Sequence, residues 1–327
     1  MKKIKVGIVG GAGYTGGELI RVLLNHPHVE IVFVNSKSNF NKFIYEVHTD
    51  LIGETDLKFS QTILQNVDVI FLCVAHGEAK KWLDENKMSD AIKIIDLSAD
   101  FRIKDVSAAT DTAFVYGLPE LNRNEIKTAQ NIANPGCFAT CIQLALLPLA
   151  KSKLLKNEIH ISATTGTTGA GQTLTATSHF SWRNNNLSFY KLFEHQHLHE
   201  INQSIGQLQN KFKNTIHFIP QRGSFSRGIF ASCYLDCDIS IEEAIALYED
   251  FYANHPFVFI SKENIDLKQV VNTNKCLLYL AKHGNKLLIA SIIDNLLKGA
   301  SGQAVQNMNL LFGLAETTGL KLKASAF

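Results

Sequence analysis

Asn134-Pro135-Gly136-Cys137 leads straight into an apolar helical run over residues 139–149. Pro and Gly make a sharp turn, so Cys137 falls in the first turn of that helix. The unpaired amides and the dipole there favour the thiolate, the nucleophilic form of a cysteine. The alternative is a small buried thiol, common for this residue type. Cys141, one turn on, reads as core. The densest histidine cluster, Glu194-His195-Gln196-His197-Leu198-His199-Glu200, offers imidazoles that titrate near neutrality, and so a general base for Cys137 and its adducts. His195 and His197 both qualify; His199 is the weaker candidate. No metal centre is expected, because no cysteine or carboxylate set at ligand spacing completes one. An exposed polar turn is the remaining reading of the cluster.

A second constellation is built for phosphate. Gly10-Gly11-Ala12-Gly13-Tyr14-Thr15-Gly16 lies between an apolar strand and a helix. Gly10, Gly13 and Gly16 let the backbone turn tightly, so a pyrophosphate can approach the amides of Tyr14, Thr15 and Gly16. The next strand ends Val34-Asn35-Ser36-Lys37-Ser38, with no acidic residue to bind a ribose 2′-hydroxyl. Ser36 and Lys37 suit a 2′-phosphate instead, which favours NADP over NAD.

Two further stretches fit anions. Asp96-Leu97-Ser98-Ala99-Asp100-Phe101-Arg102 ends a strand of the same kind, with Arg102 able to grip a carboxylate or phosphate and Ser98 beside the cofactor. Gly166-Thr167-Thr168-Gly169-Ala170-Gly171 is a loop whose amides, Gly169 and Gly171 included, could form an anion nest. Ordinary turns are the alternative for both. His76 reads as lining the cofactor crevice.

The elements that must hold these groups follow from periodicity. Residues 4–9, 29–34, 67–74 and 92–97 read as buried strands, alternating with helices over 14–25 and 78–85, which predicts a doubly wound parallel sheet of Rossmann type. From about residue 151 the texture changes. Longer strands over 158–165, 216–219, 228–237, 276–282 and 286–293, with few helices between them, predict a second α+β domain with a mixed or antiparallel sheet. The expected division is residues 1–150 and 151–298. A last helix is expected over 301–317, and its pattern does not decide which domain it packs on.

Composition sets the outer limits. The chain has 327 residues, 46% hydrophobic and 19% charged, with a formal net charge of +2. It has no basic run to suggest nucleic acid as a partner and no stretch near the ~20 apolar residues that span a bilayer. Six cysteines without a CxxC pair and no secretory start predict free thiols in a reducing, cytoplasmic compartment.

Five segments together resemble the N-acetyl-γ-glutamyl-phosphate reductase family. They are Gly10-xx-Gly13-Tyr14-Thr15-Gly16-x-Glu18-Leu19, the Asp96–Arg102 stretch, Tyr116-Gly117-Leu118-Pro119-Glu120, Asn134-Pro135-Gly136-Cys137-Phe138-Ala139-Thr140 and residues 294–309, which begin Asp294-Asn295. The resemblance implies NADPH-dependent reduction of an N-acyl-γ-glutamyl phosphate through a Cys137 thioester, in arginine biosynthesis. It implies that the C-terminal helix, residues 299–327, completes the first domain, and that the chain assembles as a homodimer or homotetramer. It lays the family's His-Arg-His-x-Pro-Glu segment over His195 to Glu200, adding Glu200 to the substrate site, and it adds Asn295 to the cofactor site.

Departures fall in the second domain, apart from one on the helix that follows Cys137. Gln196 stands for the usual Arg, His199 for Pro, Cys141 for Gly or Ala, and Gln221 for Met. They put the acyl group in question, and Arg222 could meet the extra carboxylate of an N-succinyl substrate. The rival activities are those of semialdehyde dehydrogenases acting on aspartyl phosphate or N-acyl-aminoadipyl phosphate. A protein that binds NADP without catalysis is the remaining alternative.

Overall fold

Ile4–Val9 is the strand around which the first sheet grows, because nearly every side chain along it is buried and both its edges are paired. The computed structural model describes residues 2–104 and 113–326. It divides into two units, Met1–Pro135 with Ala300–Lys321 and Gly136–Gly299 with Leu322–Phe327. The division falls at Pro135/Gly136 rather than near residue 150.

In the first unit β1 (Ile4–Val9), β2 (Val29–Asn35), β3 (Phe59–Ser60), β4 (Val69–Leu72), β5 (Lys93–Asp96), β6 (Val115–Tyr116) and β7 (Asn131–Ala133) form one sheet, in the order β3-β2-β1-β4-β5-β7-β6. Every pairing in it is parallel. Strands covered on both faces must be apolar throughout, as Val69–Leu72 is. The helices α1 (Tyr14–Leu24), α2 (Glu78–Glu85) and α3 (Pro119–Thr128) belong to this unit. Its strand order reverses between β1 and β4, the topological switch point where such sheets bind ligands.

The second unit opens with α4 (Cys137–Lys151), buried along almost its whole length. A proline inside it, Pro148, cannot donate to the carbonyl of Leu144. The hydroxyl of Tyr252 does so instead, at 2.6 Å. Strands β8 (Ile159–Thr165), β9 (Ser188–Phe189), β10 (Ile216–Arg222), β11 (Ile229–Asp236), β12 (Val258–Ser261), β13 (Cys276–His283) and β14 (Lys286–Ile293) form a mixed sheet in the order β12-β13-β14-β11-β8-β10-β9. Two twelve-residue helices interrupt a region expected to hold few, α5 (His197–Leu208) and α6 (Ile241–Tyr252). The second is announced by a capping box in which the Ser240 hydroxyl accepts from the Glu243 amide.

The last helix, α7 (Gly302–Leu311), clusters with the first unit. Asn307 donates to the carbonyl of Gly117 (2.8 Å), and Asn309 bonds the ring of His26 (3.0 Å). The helix stops well before residue 317. Gly313 takes φ +67°, its amide donates to Leu310 and that of Leu314 to Asn309, which is the Schellman closure that glycine permits.

Candidate active site

The glycine turn has the form expected of it. Gly10 has φ +79°, and a Cβ there would lie 2.4 Å from the Cys73 carbonyl oxygen. A Cβ on Gly16 would lie 2.6 Å from the Cα of Gly11, so the helix start is pressed onto the loop. The amides of Gly10 and Gly11 both donate to Asn35 at the tip of β2. Helix α1 begins after Gly13 with no side-chain cap and no acidic residue in its first turn. The positive end of the helix is thus left to an anion, the arrangement a dinucleotide pyrophosphate requires. The ring of His48, which sequence reasoning missed, donates to the Gly11 carbonyl (2.8 Å) and packs on Gly17. At the end of β2, Ser36 is buried and Lys37 exposed.

The stretch after β5 differs from expectation. Arg102 is buried, donating from Nε to the Asn134 carbonyl (2.9 Å) and from Nη2 to that of Leu97 (2.8 Å). These two nitrogens thus fasten the guanidinium to the backbone at the ends of β5 and β7, where the carbonyls offer fixed acceptors. Ser98 donates its hydroxyl to the fully buried Asp96 carboxylate (2.7 Å). Burial holds the Asp96 carboxyl up at about 6, against the pull of Ser98 and Arg102. Asp100 caps α2, accepting from the amides of Gly77, Ala79 and Lys80.

In the second unit Cys137 is the first residue of α4, half-buried, with Gly136 as its N-cap and no acidic residue in the first turn. A Cβ on Gly299 would come within 2.8 Å of the Cys137 Cβ, so only glycine fits there. The amide of Gly136 donates to Oε2 of the buried Glu200 (2.9 Å). The other oxygen of Glu200 lies 3.8 Å from His197 Nε2, one helical turn earlier on α5. Glu200 therefore joins the nucleophile's turn to a histidine.

His195 and His197 are both buried, with ring centres 4.6 Å apart, and Phe138, next to Cys137, meets both rings edge-on. The His197 amide donates to His195 Nδ1 (3.2 Å), which assigns the neutral His195 proton to Nε2. Burial, then the charges of Lys191 and Arg222, pull the His195 imidazole down to about 4. Tyr190 lies 5.7 Å from the His195 ring and under the Arg222 guanidinium (4.6 Å). Burial and then the nearby Cys137 push its phenol up to about 12. Cys137, Tyr190, His195, His197, Glu200 and Arg222 thus form one cluster within one unit, reached by sequence reasoning except for Tyr190.

A pocket of about 330 Å³ in the same unit is lined by Arg222 and by a second guanidinium, Arg183. Arg183 is buried and donates to the Arg222 carbonyl (2.8 Å). Burial and the neighbouring Arg222 lower its pKa. Sequence reasoning missed Arg183, which sits on a single turn, Phe180–Arg183, with no flanking motif.

The Gly166–Gly171 loop is not an open nest. The amides of Gly166, Thr167 and Thr168 donate to the carbonyls of Gly228, Phe225 and Ser226. Asn295 braces it, donating to Thr168 Oγ1 (3.0 Å) and accepting from the Gly228 amide (2.7 Å). Gly171 keeps φ +74° with open space where a side chain would stand, whereas a Cβ on Gly169 would touch Thr165 Oγ1 at 3.4 Å.

Residues 5–129 match the semialdehyde dehydrogenase NAD-binding domain, and residues 137–295 match the semialdehyde dehydrogenase dimerisation domain. An N-acetyl-gamma-glutamyl-phosphate reductase of Bacteroides thetaiotaomicron is 60% identical over 325 residues, 99% of this chain and 100% of that one. This chain belongs to the N-acetyl-gamma-glutamyl-phosphate reductase family. A member from Flavobacterium johnsoniae is 59% identical over 324 residues, with the same coverage. Among solved structures, aspartate semialdehyde dehydrogenase II of Vibrio cholerae complexed with ASA superposes with a TM-score of 0.73 at 16% identity, covering 96% of this chain and 99% of that one. The Candida albicans aspartate semialdehyde dehydrogenase with NADP gives 0.69 at 12% identity, over 95% and 99%. This chain thus shares its two-sheet fold with aspartate semialdehyde dehydrogenases far removed in sequence. No described helix is long and apolar enough to cross a membrane.

Proposed function

We propose that this reductase-family chain converts N-acyl-γ-glutamyl phosphate to N-acyl-glutamate 5-semialdehyde and phosphate through a thioester on Cys137, a step of arginine biosynthesis. The observation that carries the reading is Cys137 at the first position of α4, its turn fastened to Glu200 and Glu200 set beside His197. The thiolate attacks the acyl carbonyl, and the acyl–oxygen bond to phosphate breaks. NADPH, when bound, would supply the hydride for reduction of the thioester to a thiohemiacetal. Loss of the hydroxyl proton and rupture of the carbon–sulfur bond then release the aldehyde and regenerate the thiolate. Amides at the start of α4 are the donors for the oxyanion.

His197 moves the proton on collapse, with Glu200 as its orienting carboxylate. His195 is the poorer base: its Nδ1 lone pair already accepts a backbone N–H, and it stays neutral near pH 7. The α1 turn of Gly10, Gly13, Tyr14, Thr15 and Gly16 holds the pyrophosphate, and Ser36 and Lys37 take the 2′-phosphate of NADP. Arg102 and Ser98 act by bracing the strand ends. Gly169, Gly171 and Asn295 shape the loop beside the site.

The chain assembles as a homodimer or homotetramer through its second unit, the one that matches a dimerisation domain. The reaction takes place in the cytoplasm.

A second reading of the acyl group rests on the Arg183–Arg222 pocket. Two arginines on the wall of one cavity favour an acyl chain that ends in a carboxylate, such as N-succinyl; Arg183 adds charge while donating to Thr177, Arg222 and Ser188, and Arg222 Nε lacks a protein partner. Phosphate-dependent reduction of NADP by N-acetyl- and N-succinyl-glutamate semialdehyde, run side by side with NAD controls, tests both readings. Turnover with neither substrate overturns the activity. Faster turnover with the acetyl compound, unaffected by Arg183→Ala, overturns the second reading.

A further inference from the structure

Outside this cluster, three potential metal ligands converge on the outer face of the second sheet. Strand residues two apart share a face, and Glu158 stands two before His160. In the parallel pairing of β8 with β10, His160 lies directly opposite His217. Ile159, Ile161, Ile216 and Phe218, the flanking residues, are buried, so both histidines point away from the core.

The His217 Nε2 to Glu158 Oε2 distance is 3.1 Å, and one ligand atom from each of the three residues lies within 4.8 Å of the others. The two imidazoles stack at 4.9 Å and 16°. Tyr234 stacks on the far side of His160 (5.1 Å, 13°), and Phe193 meets His217 edge-on. The two ring planes run nearly parallel, so an ion bound in the plane of both imidazoles requires one ring to turn out of the stack. A hollow of about 200 Å³ opens at the rings, room for a hydrated ion and little more.

We propose that Glu158, His160 and His217 bind a divalent transition-metal cation, zinc above all. Two neutral imidazole nitrogens and one carboxylate oxygen form a borderline-soft donor set that selects zinc over calcium or magnesium. Tetrahedral zinc with ligands at about 2.0–2.2 Å puts neighbouring donors roughly 3.3 Å apart. The His217–Glu158 pair is already near that spacing, and the exposed Glu158 side chain can close the remainder. With three protein ligands, water fills the fourth position. The bound ion ties the starts of β8 and β10 together, at the opposite ends of those strands from Thr165 and Arg222.

The test is equilibrium dialysis of the full-length protein against buffered micromolar zinc, with metal content measured per chain. Both the His160→Asn/His217→Asn double variant and Glu158→Gln are compared with the parent. Cys137 is present in all three, so thiolate-bound zinc cancels. The parent is expected to hold about one ion per chain more than the double variant, and Glu158→Gln to bind at least tenfold more weakly than the parent. Co²⁺ should give tetrahedral d–d absorption in the parent that the double variant lacks. An excess below half an ion over a double variant of unchanged turnover overturns the proposal. If the double variant loses turnover, Glu158→Gln decides alone, and zinc affinity equal to the parent's overturns it.

Discussion

His195 should remain uncharged well below neutral pH, and the consequence can be worked out. Burial and the charges of Lys191 and Arg222 lower its imidazole from 6.5 to about 4. As pH falls through 6.5 the unfolded chain takes up a proton there, while the folded chain does not until about 4. The stability associated with neutral His195 is therefore present above pH 6.5 and drains away toward pH 4, by about 3 kcal/mol in full and about 2.5 kcal/mol at pH 4.5. Denaturant unfolding at pH 7 and pH 4.5 reads this out when His195→Asn is run beside the parent. Carboxylates such as Asp96 titrate in both proteins and cancel in the comparison. The parent should lose about 2.5 kcal/mol more than the variant, and the His195 ring signal in a ¹³C-histidine NMR titration should move near pH 4. Equal losses, with a ring midpoint near 6.5, would refute the reasoning and return His195 to contention as the base. The same logic separates the two histidines in turnover: His197→Asn should slow it by roughly 10²–10⁴, and His195→Asn far less.

Two further substitutions test the scaffold. Gly16→Ala sets a Cβ against the backbone of Gly10 and Gly11, which has no side chain to swing aside. Steady-state kinetics should show the KM for the nicotinamide cofactor raised at least tenfold with kcat little changed, and an unchanged KM would contradict that role for the turn. Tyr252→Phe strands the Leu144 carbonyl that Pro148 cannot satisfy and should cost about 1–3 kcal/mol in denaturant unfolding. Adding Pro148→Ala restores an N–H to that carbonyl, so the double variant should recover most of the loss.

Much of the architecture was legible because it is written in local pattern. The strand–glycine–helix run of residues 4–24 and helix α2 follow from alternation, helical spacing and breakers close by in the chain. The early end expected for the β10 strand, at Ile219, reflects Pro220, which the sheet tolerates. The late end expected for α7 overlooked Gly313, a stop signal present in the sequence. The capping box at Ser240 was likewise available as a sign of α6. Helix α5 carries no such signal, since Gln196 caps nothing with its side chain.

The site was half legible. Cys137 and the histidines are chemically conspicuous and close together in sequence or at a marked turn. The role of Arg102 was not, because its partners are backbone carbonyls that no sequence pattern displays. Nor could the engaged amides of the Gly166–Gly171 loop be foreseen, since their acceptors come from residues 225–228. Tyr190 and Arg183 reach the cluster only through tertiary packing. The Glu158–His160–His217 group needs the register of two strands more than fifty residues apart, which sequence spacing alone cannot supply.

The most direct test of the thioester is to oxidise N-acetyl-glutamate semialdehyde (or its N-succinyl analogue) with NADP in the absence of phosphate. With no phosphate to accept the acyl group, the account predicts a burst of one NADPH per active chain. Peptide mass spectrometry after acid quenching should place the matching acyl adduct on Cys137, and added phosphate should discharge it. Sustained turnover by Cys137→Ser, or an NADPH burst with the acyl group on another residue, would contradict the account.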